Sequence, residues 1–178
     1  MKVVLITGRS GSGKDTLAEL LSLYLDDKNL TVWIQHNADP VKYMADVYFG
    51  VKNYKTDEGK NIMMGITDLM YSTDAYYFEK LNMKKVPKDT DVLIIPDWRY
   101  LNTKYYFEGR EEDEVYTVMV QRTNARDYTF EVKRKEERLL SRLEPLIVIK
   151  NDDTILELET MAKNLANCIA LDIKGGVV

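Results

Sequence analysis

A three-layer α/β fold with a mainly parallel five-stranded sheet is the fold class this sequence predicts, on three observations. Short apolar runs alternate with helix-patterned segments along the 178 residues, the signature of βαβ units. The first run, Lys2–Thr7, is apolar without polar alternation, as a strand covered on both faces must be. It runs directly into a glycine-rich turn, Gly8 to Gly13, that opens a helical pattern. No internal repeat and no stretch rich in Pro, Gly or Ser divides the chain. One domain is therefore expected over residues 1–178, within the roughly 100–200 residues of a compact unit.

The elements follow in order. Leu17, Leu20, Leu21, Tyr24 and Leu25 keep the i, i+3, i+4, i+7, i+8 spacing of an amphipathic helix. Residues 31–35, 92–96, 115–121 and 146–150 read as the second to fifth strands. A helix over residues 154–170 closes the chain, with 172–178, containing Gly175-Gly176, expected as a loose tail. Two inserts stand out: residues 40–85, rich in Tyr and Met, and the highly charged residues 123–143. In an open α/β sheet ligands bind at the carboxyl ends of the strands, so inserts there are expected to cover an acceptor site and to act as a lid.

Composition excludes several classes. An apolar fraction of 45% with 30% charged residues fits a folded soluble chain. The 25 basic and 29 acidic residues leave a net charge of −4, which argues against broad binding to a nucleic-acid backbone. It leaves room for a local basic pocket. No stretch approaches the ~20 apolar residues of a membrane span, and the apolar start is too short for a signal peptide, so a cytoplasmic location is expected. The single cysteine, Cys168, allows no intrachain disulfide. It lies in a helix with the apolar stripe Ile155, Leu158, Ala162, Leu165 and Ile169, and is expected to be a small buried hydrophobe.

Gly8-x-x-x-x-Gly13-Lys14, between a strand and a helix, is a phosphate-binding loop in its proper context. Glycines let backbone N–H groups turn inward around phosphate oxygens, and the helix N-terminus adds partial positive charge. Gly8, Ser10, Gly11, Ser12, Gly13, Lys14, Asp15 and Thr16 are thus the expected ATP-phosphate ligands. Lys14 is the expected catalytic cation on the transferring phosphoryl group. A glycine-rich turn without ligand is the alternative, opposed by the agreement of glycines, lysine, strand and helix. The overall expectation is a P-loop NTPase-type fold.

Asp15 stands where GTPases and most ATPases carry a hydroxyl for Mg²⁺. The loop with Thr16 resembles nucleotide kinases such as adenylate kinase, whose Gly-Lys-x-Thr ending lies at the same place. That resemblance implies that Thr16 contacts phosphate oxygen while the metal is held largely through water. Further segments are similar to bacteriophage-type deoxynucleoside monophosphate kinases. They are Gly-Lys-Asp-Thr, Ala38-Asp39-Pro40-Val41-Lys42 with Phe49-Gly50, Asp97-Trp98-Arg99-Tyr100-Leu101-Asn102, and residues 149–158 with Asn151-Asp152. Together they span residues 3 to 158 in the family's order. The sequence departs from the family at Thr103, where Glu is frequent, and across Lys60 to Thr67, which keeps little but Gly65 and a displaced Thr. A different base preference, or different residues holding the base, is implied.

Asp97, just past an apolar strand, is expected to organise Mg²⁺ with Thr16 and to contact the substrate, and Arg99 to fork onto the acceptor phosphate in a catalytic role. A strand-end salt bridge between the two is the competing reading. Asp39 and Lys42 are acceptor-binding candidates, with helix capping equally open for Asp39. Arg122 and Arg126 follow the fourth strand at an i, i+4 step and are expected on ATP, Arg122 in a catalytic role. Arg134, Arg138 and Arg142 line one helical face, as phosphate-closing lid residues or as members of a solvated helix paired with Glu131 and Glu137. Aromatics cluster at Tyr71, Tyr76, Tyr77 and Phe78 and at Tyr100, Tyr105, Tyr106 and Phe107, where one or two could stack on a base and most pack. His36, the only histidine, has no required part. The expected activity is Mg²⁺-ATP-dependent phosphorylation of a deoxynucleoside monophosphate. A kinase for another phosphorylated metabolite (adenylate or phosphomevalonate kinase-like) and a non-catalytic ATP-binding module are the alternatives. Neither nucleic acid nor membrane is an expected partner, and a homodimer is left open.

Overall fold

The computed structural model describes residues 1–123 and 130–175. Five strands form one sheet: β1 (Lys2–Thr7), β2 (Val32–Ile34), β3 (Val92–Ile95), β4 (Glu114–Gln121) and β5 (Ile147–Lys150). Their order is β2-β3-β1-β4-β5 and every pairing is parallel. The helices are α1 (Lys14–Asp26), α2 (Ala38–Phe49), α3 (Asp57–Thr73), α4 (Tyr77–Met83), α5 (Leu101–Glu108), α6 (Phe130–Leu140) and α7 (Ile155–Gly175). Lys2 on β1 is in register with Val92 on one side and Glu114 on the other. The three central strands therefore start level and run in the same direction, towards the edge where Gly8, Asp97 and Arg122 follow their ends.

Strand pleating sorts the core into two faces. Val4, Ile6, Val92, Ile94, Val118 and Val120 pack under α1 and α7, meeting Leu17, Leu21, Leu165 and Ile169. Val3, Leu5, Leu93 and Ile95 point the other way, onto Trp98, Phe107 and Leu143. Both faces being covered is why β1 reads as an uninterrupted apolar run. The first insert carries its own small core of Val41, Ala45, Ile66 and Phe78 among α2, α3 and α4. Helix α2 begins two residues before Pro40, which sits in the first turn, where its missing N–H costs nothing.

Two expectations need correction. Helix α7 continues through Gly175, because Ile173 still packs on the core and Asp172 accepts a hydrogen bond from the Tyr116 hydroxyl at 2.6 Å. Only residues 176–178 of the expected tail remain, and they lie outside the described residues. Cys168 is exposed. The α7 stripe that is buried runs Leu158, Ala162, Leu165, Ala166 and Ile169, while Ile155 also faces out. The fifth strand is a sheet edge, so it buries Ile149 and leaves Leu146 and Val148 77% and 51% exposed.

The turned face of α7 is testable by stability. Ile169→Ala should lower unfolding free energy by about 2–4 kcal/mol, and Cys168→Ser should stay within about 0.5 kcal/mol, both read from urea melts. The native thiol should also react with dithiobis-nitrobenzoate without denaturant; a thiol silent until unfolding would put Cys168 back in the core.

Candidate functional site

The glycine loop owes its shape to two positions. Gly8 has φ 144° and Gly13 φ 98°, and a Cβ at either would collide, with the Val120 carbonyl or with the Asn151 amide nitrogen. Asn151 donates from Nδ2 to the Ser12 carbonyl at 2.8 Å and from its backbone N–H to the Gln121 carbonyl at 2.8 Å. The β5–α7 junction thereby pins the loop. Gly13 is the N-cap of α1, and no side chain caps that helix. The Ser12 hydroxyl is buried and has no partner among the described residues. A positive helix end and a buried hydroxyl are features that suit phosphate oxygens.

Lys14 opens α1 and is 8% exposed, with Nζ donating to the Arg9 carbonyl at 2.9 Å. Burial, and then the Arg99 guanidinium, push its pKa down to about 8 against the pull of Asp15 and Glu136. Asp15 is exposed and Thr16 half-buried beside it.

Two cavities flank the loop. One, of about 600 Å³, is lined by Gly8 and Arg9 together with Met119, Arg122, Lys150 and Asp152. Arg122 is exposed, and the Thr123 N–H donates to Asp152 at 2.6 Å, holding that carboxyl below its ordinary value. Arg126 lies outside the described residues. The other cavity, of about 570 Å³, receives Ser10, Lys14 and Asp15 from the loop. Lys42, Lys60 and Arg99 bring positive charge to it, and Met63, Met64, Tyr71, Phe78 and Tyr100 form an apolar wall. Tyr71 meets Phe78 and Tyr100 edge-on at centroid distances of 5.4 and 5.1 Å.

Asp97 is committed to the fold. Its two oxygens accept the backbone N–H groups of Asn37 and Ala38, each at 2.8 Å, at the start of α2. Arg99 does not pair with it; Arg99 lies 2.9 Å from Glu136 of α6. Asp39 pairs with Lys42 at 3.0 Å within the first turn of α2; Lys42 lines the cavity. Arg134, Arg138 and Arg142 are exposed, so the expected arginine face of the lid points to solvent. Helix α6 presents Glu136 and Leu139 to the cavity instead. His36 lies 3.9 Å from Asp97 at the cavity wall.

Lys60 and Glu136 escaped sequence reasoning. A signal for Glu136 was present: it shares the spacing of Val132, Leu139 and Leu143, so a carboxylate sits on an apolar helical stripe. Tyr71 and Thr103 both donate to Glu79, at 2.7 and 2.6 Å, in a buried network behind the cavity wall. Burial raises the Glu79 pKa, and the two hydroxyls oppose the shift.

The triphosphate of ATP fits this loop by its glycine cradle and buried lysine. No group of three His, Cys, Asp or Glu suited to a metal exists among the described residues. Mg²⁺ carried by phosphates and water is compatible with the hydroxyl of Thr16 beside the loop, whereas both Asp97 oxygens already accept N–H groups of α2.

No family model matches the sequence, and no curated protein matches it. Solved structures do resemble it. Kti12 of Chaetomium thermophilum in complex with ADP-AlF3 aligns with TM-score 0.52 at 14% identity, over 94% of this chain and 98% of that one. APS kinase CysC of Mycobacterium tuberculosis in complex with AMPPNP and APS gives 0.47 at 14% identity, over 96% and 97%. APE1195 gives 0.47 at 15% identity, over 94% and 93%. The likeness to Kti12 shows a shared α/β fold.

Lys14 supplies a test of the loop. A phosphate beside a partly deprotonated ammonium raises its pKa, so ATP binding near pH 8 should take up as much as about half a proton. Calorimetry in buffers of differing ionisation enthalpy reads this uptake, which should vanish in Lys14→Met; equal uptake in that variant would assign the proton elsewhere.

Proposed function

We propose that this chain is a nucleoside monophosphate kinase, moving the terminal phosphoryl group of ATP onto a deoxynucleoside monophosphate. The observation that carries the reading is the position of the glycine loop between two cavities, each contributing to or receiving a different part of it. Donor and acceptor then meet at one phosphate cradle from opposite sides. The acceptor side pairs cations with an apolar, aromatic wall. That combination suits a molecule with a phosphate at one end and a flat ring at the other.

In this reading the ATP phosphates lie along residues 8–16, with Arg122 and Arg126 on the donor side. Lys14 neutralises charge that builds on the transferring group, and Arg99 with Lys42 holds the acceptor's phosphate. An acceptor phosphate oxygen forms a bond to the terminal phosphorus as the bond to the bridging oxygen breaks, leaving ADP and a nucleoside diphosphate. Mg²⁺, when bound, supplies further charge neutralisation on the phosphates. Catalysis is mostly positioning and electrostatics, and no general-base histidine is required. Asp97 acts as an anchor for α2, which carries Lys42.

A panel of dAMP, dGMP, dCMP, dTMP and AMP under Mg-ATP tests the reading, with turnover expected for at least one. Turnover of none, with turnover of a phosphorylated non-nucleotide, would move the function to the sibling class; ATP binding without any acceptor-stimulated ADP would leave a binding module. With the accepted substrate, Lys14→Met should fold normally and lose about 10²–10³-fold or more in kcat. Near-normal turnover would remove Lys14 from the mechanism.

A further inference from the structure

Glu136 is a buried carboxylate on a helix whose neighbouring charged residues Arg134, Lys135, Glu137 and Arg138 are exposed. It is 2% exposed and comes within 2.9 Å of Arg99 Nη2 and 3.5 Å of Lys60 Nζ. Lys14 is close enough to feel Glu136, Arg99 and Lys60 electrostatically. Three cations from α1, α3 and the segment after β3 therefore converge on one anion delivered by α6. The fit is incomplete: among the described residues neither Glu136 oxygen nor Arg99 Nη1 makes an aligned hydrogen bond, although all three are buried. A carboxylate kept for architecture would be expected to satisfy its lone pairs. Here the anion has cationic partners in excess while its hydrogen-bonding directions go unmet.

That mismatch fits a placeholder. A phosphate monoester has three tetrahedral oxygens and up to two negative charges, against two coplanar oxygens and one charge for Glu136. Resting on the acceptor-site reading above, we propose that Glu136 is an intrachain competitor for the acceptor's phosphate: it occupies the Lys60–Arg99 subsite in the ligand-free chain and is displaced when an anionic acceptor enters. Glu136 is then a specificity-determining residue. A phosphorylated acceptor repays its displacement with equal or greater charge, whereas a neutral nucleoside would have to leave Glu136 in place or strand it unpaired. Lys60, unassigned by the sequence motifs, becomes a second phosphate ligand of the subsite beside Arg99.

Calorimetric titration with inorganic phosphate and, separately, with deoxyadenosine tests this on the full chain. Glu136→Gln should bind phosphate about tenfold more tightly than the parent, and Glu136→Asp, which withdraws the charge by one methylene, should fall between. Deoxyadenosine affinity should change by less than about twofold in both. The gain should also shrink to about twofold or less when Arg99→Met is added, since that removes the contested partner. Unchanged or weaker phosphate binding in the variants that fold would overturn the proposal, with the Asp variant deciding if the Gln variant does not fold. Equal tightening for deoxyadenosine would also overturn it, making Glu136 a steric plug. A gain that survives Arg99→Met would assign the extra phosphate to the glycine loop, with the same consequence. These titrations read binding only, so a failed acceptor panel would sink the kinase reading and leave this exchange intact.

Discussion

The carboxylate of Asp97 holds two backbone N–H groups at the start of α2, and the cavity lined by Lys42 and Arg99 depends on that grip. Asp97 follows β3, the strand next to the sheet's centre, while α2 opens a three-helix insert with its own apolar cluster. Charge-assisted hydrogen bonds of this kind are worth about 1.5–3 kcal/mol each, and the helix N-terminus favours the same negative charge. The second tie is polar as well. Asn37 reaches Thr103 on α5, Asn82 on α4 reaches Asn37, and Glu79 gathers the Tyr71 and Thr103 hydroxyls. Directional bonds, more than shared apolar surface, set how the insert faces the glycine loop. The cavity wall of Met63, Tyr71 and Phe78 inherits its position from them.

Much of the fold was legible because it rests on periodicity. All five strands fall within a residue or two of the apolar runs, since a sheet covered on both faces needs such runs at its centre. The glycine loop was legible for a second reason: the positive φ at Gly8 and Gly13, and the close approach of Val120 and Asn151, exclude every other residue type. Helix α5 was not read, because its apolar and polar residues are spread almost evenly around the axis and only Thr103 and Phe107 are buried. Cys168 was misplaced because an apolar residue in an amphipathic helix was assumed to join the stripe, although its own turn carries Ala166 and Ile169 there.

The site was legible in its parts and hidden in its pairings. Lys14, Asp97 and Arg99 stand out along the chain, but the partner of Asp97 is 60 residues away and that of Arg99 lies on α6. The arginines at Arg134, Arg138 and Arg142 attracted notice by their spacing, and they face water. Burial selects the opposite side of α6, where Val132 and Leu143 anchor the helix and Glu136 travels inward with them. A pattern of charges along a sequence reports a helix face, and only the apolar residues between them say which face turns in.

Net charge and local charge point in opposite directions in this molecule, and the difference locates the chemistry. The chain carries −4 overall, yet Lys14, Lys42, Lys60 and Arg99 collect around one cavity. Burial and the Arg99 guanidinium depress the proton affinity of Lys14 within that cluster. Glu136 acts against that depression at the same lysine. An anion in the cluster thus keeps the ammonium charged, whether a carboxylate of the chain or a phosphate of the ligand supplies it. Under the proposed exchange, a loop lysine that meets phosphate as a cation is served by both states, and replacing one anion by the other need not cost it its proton.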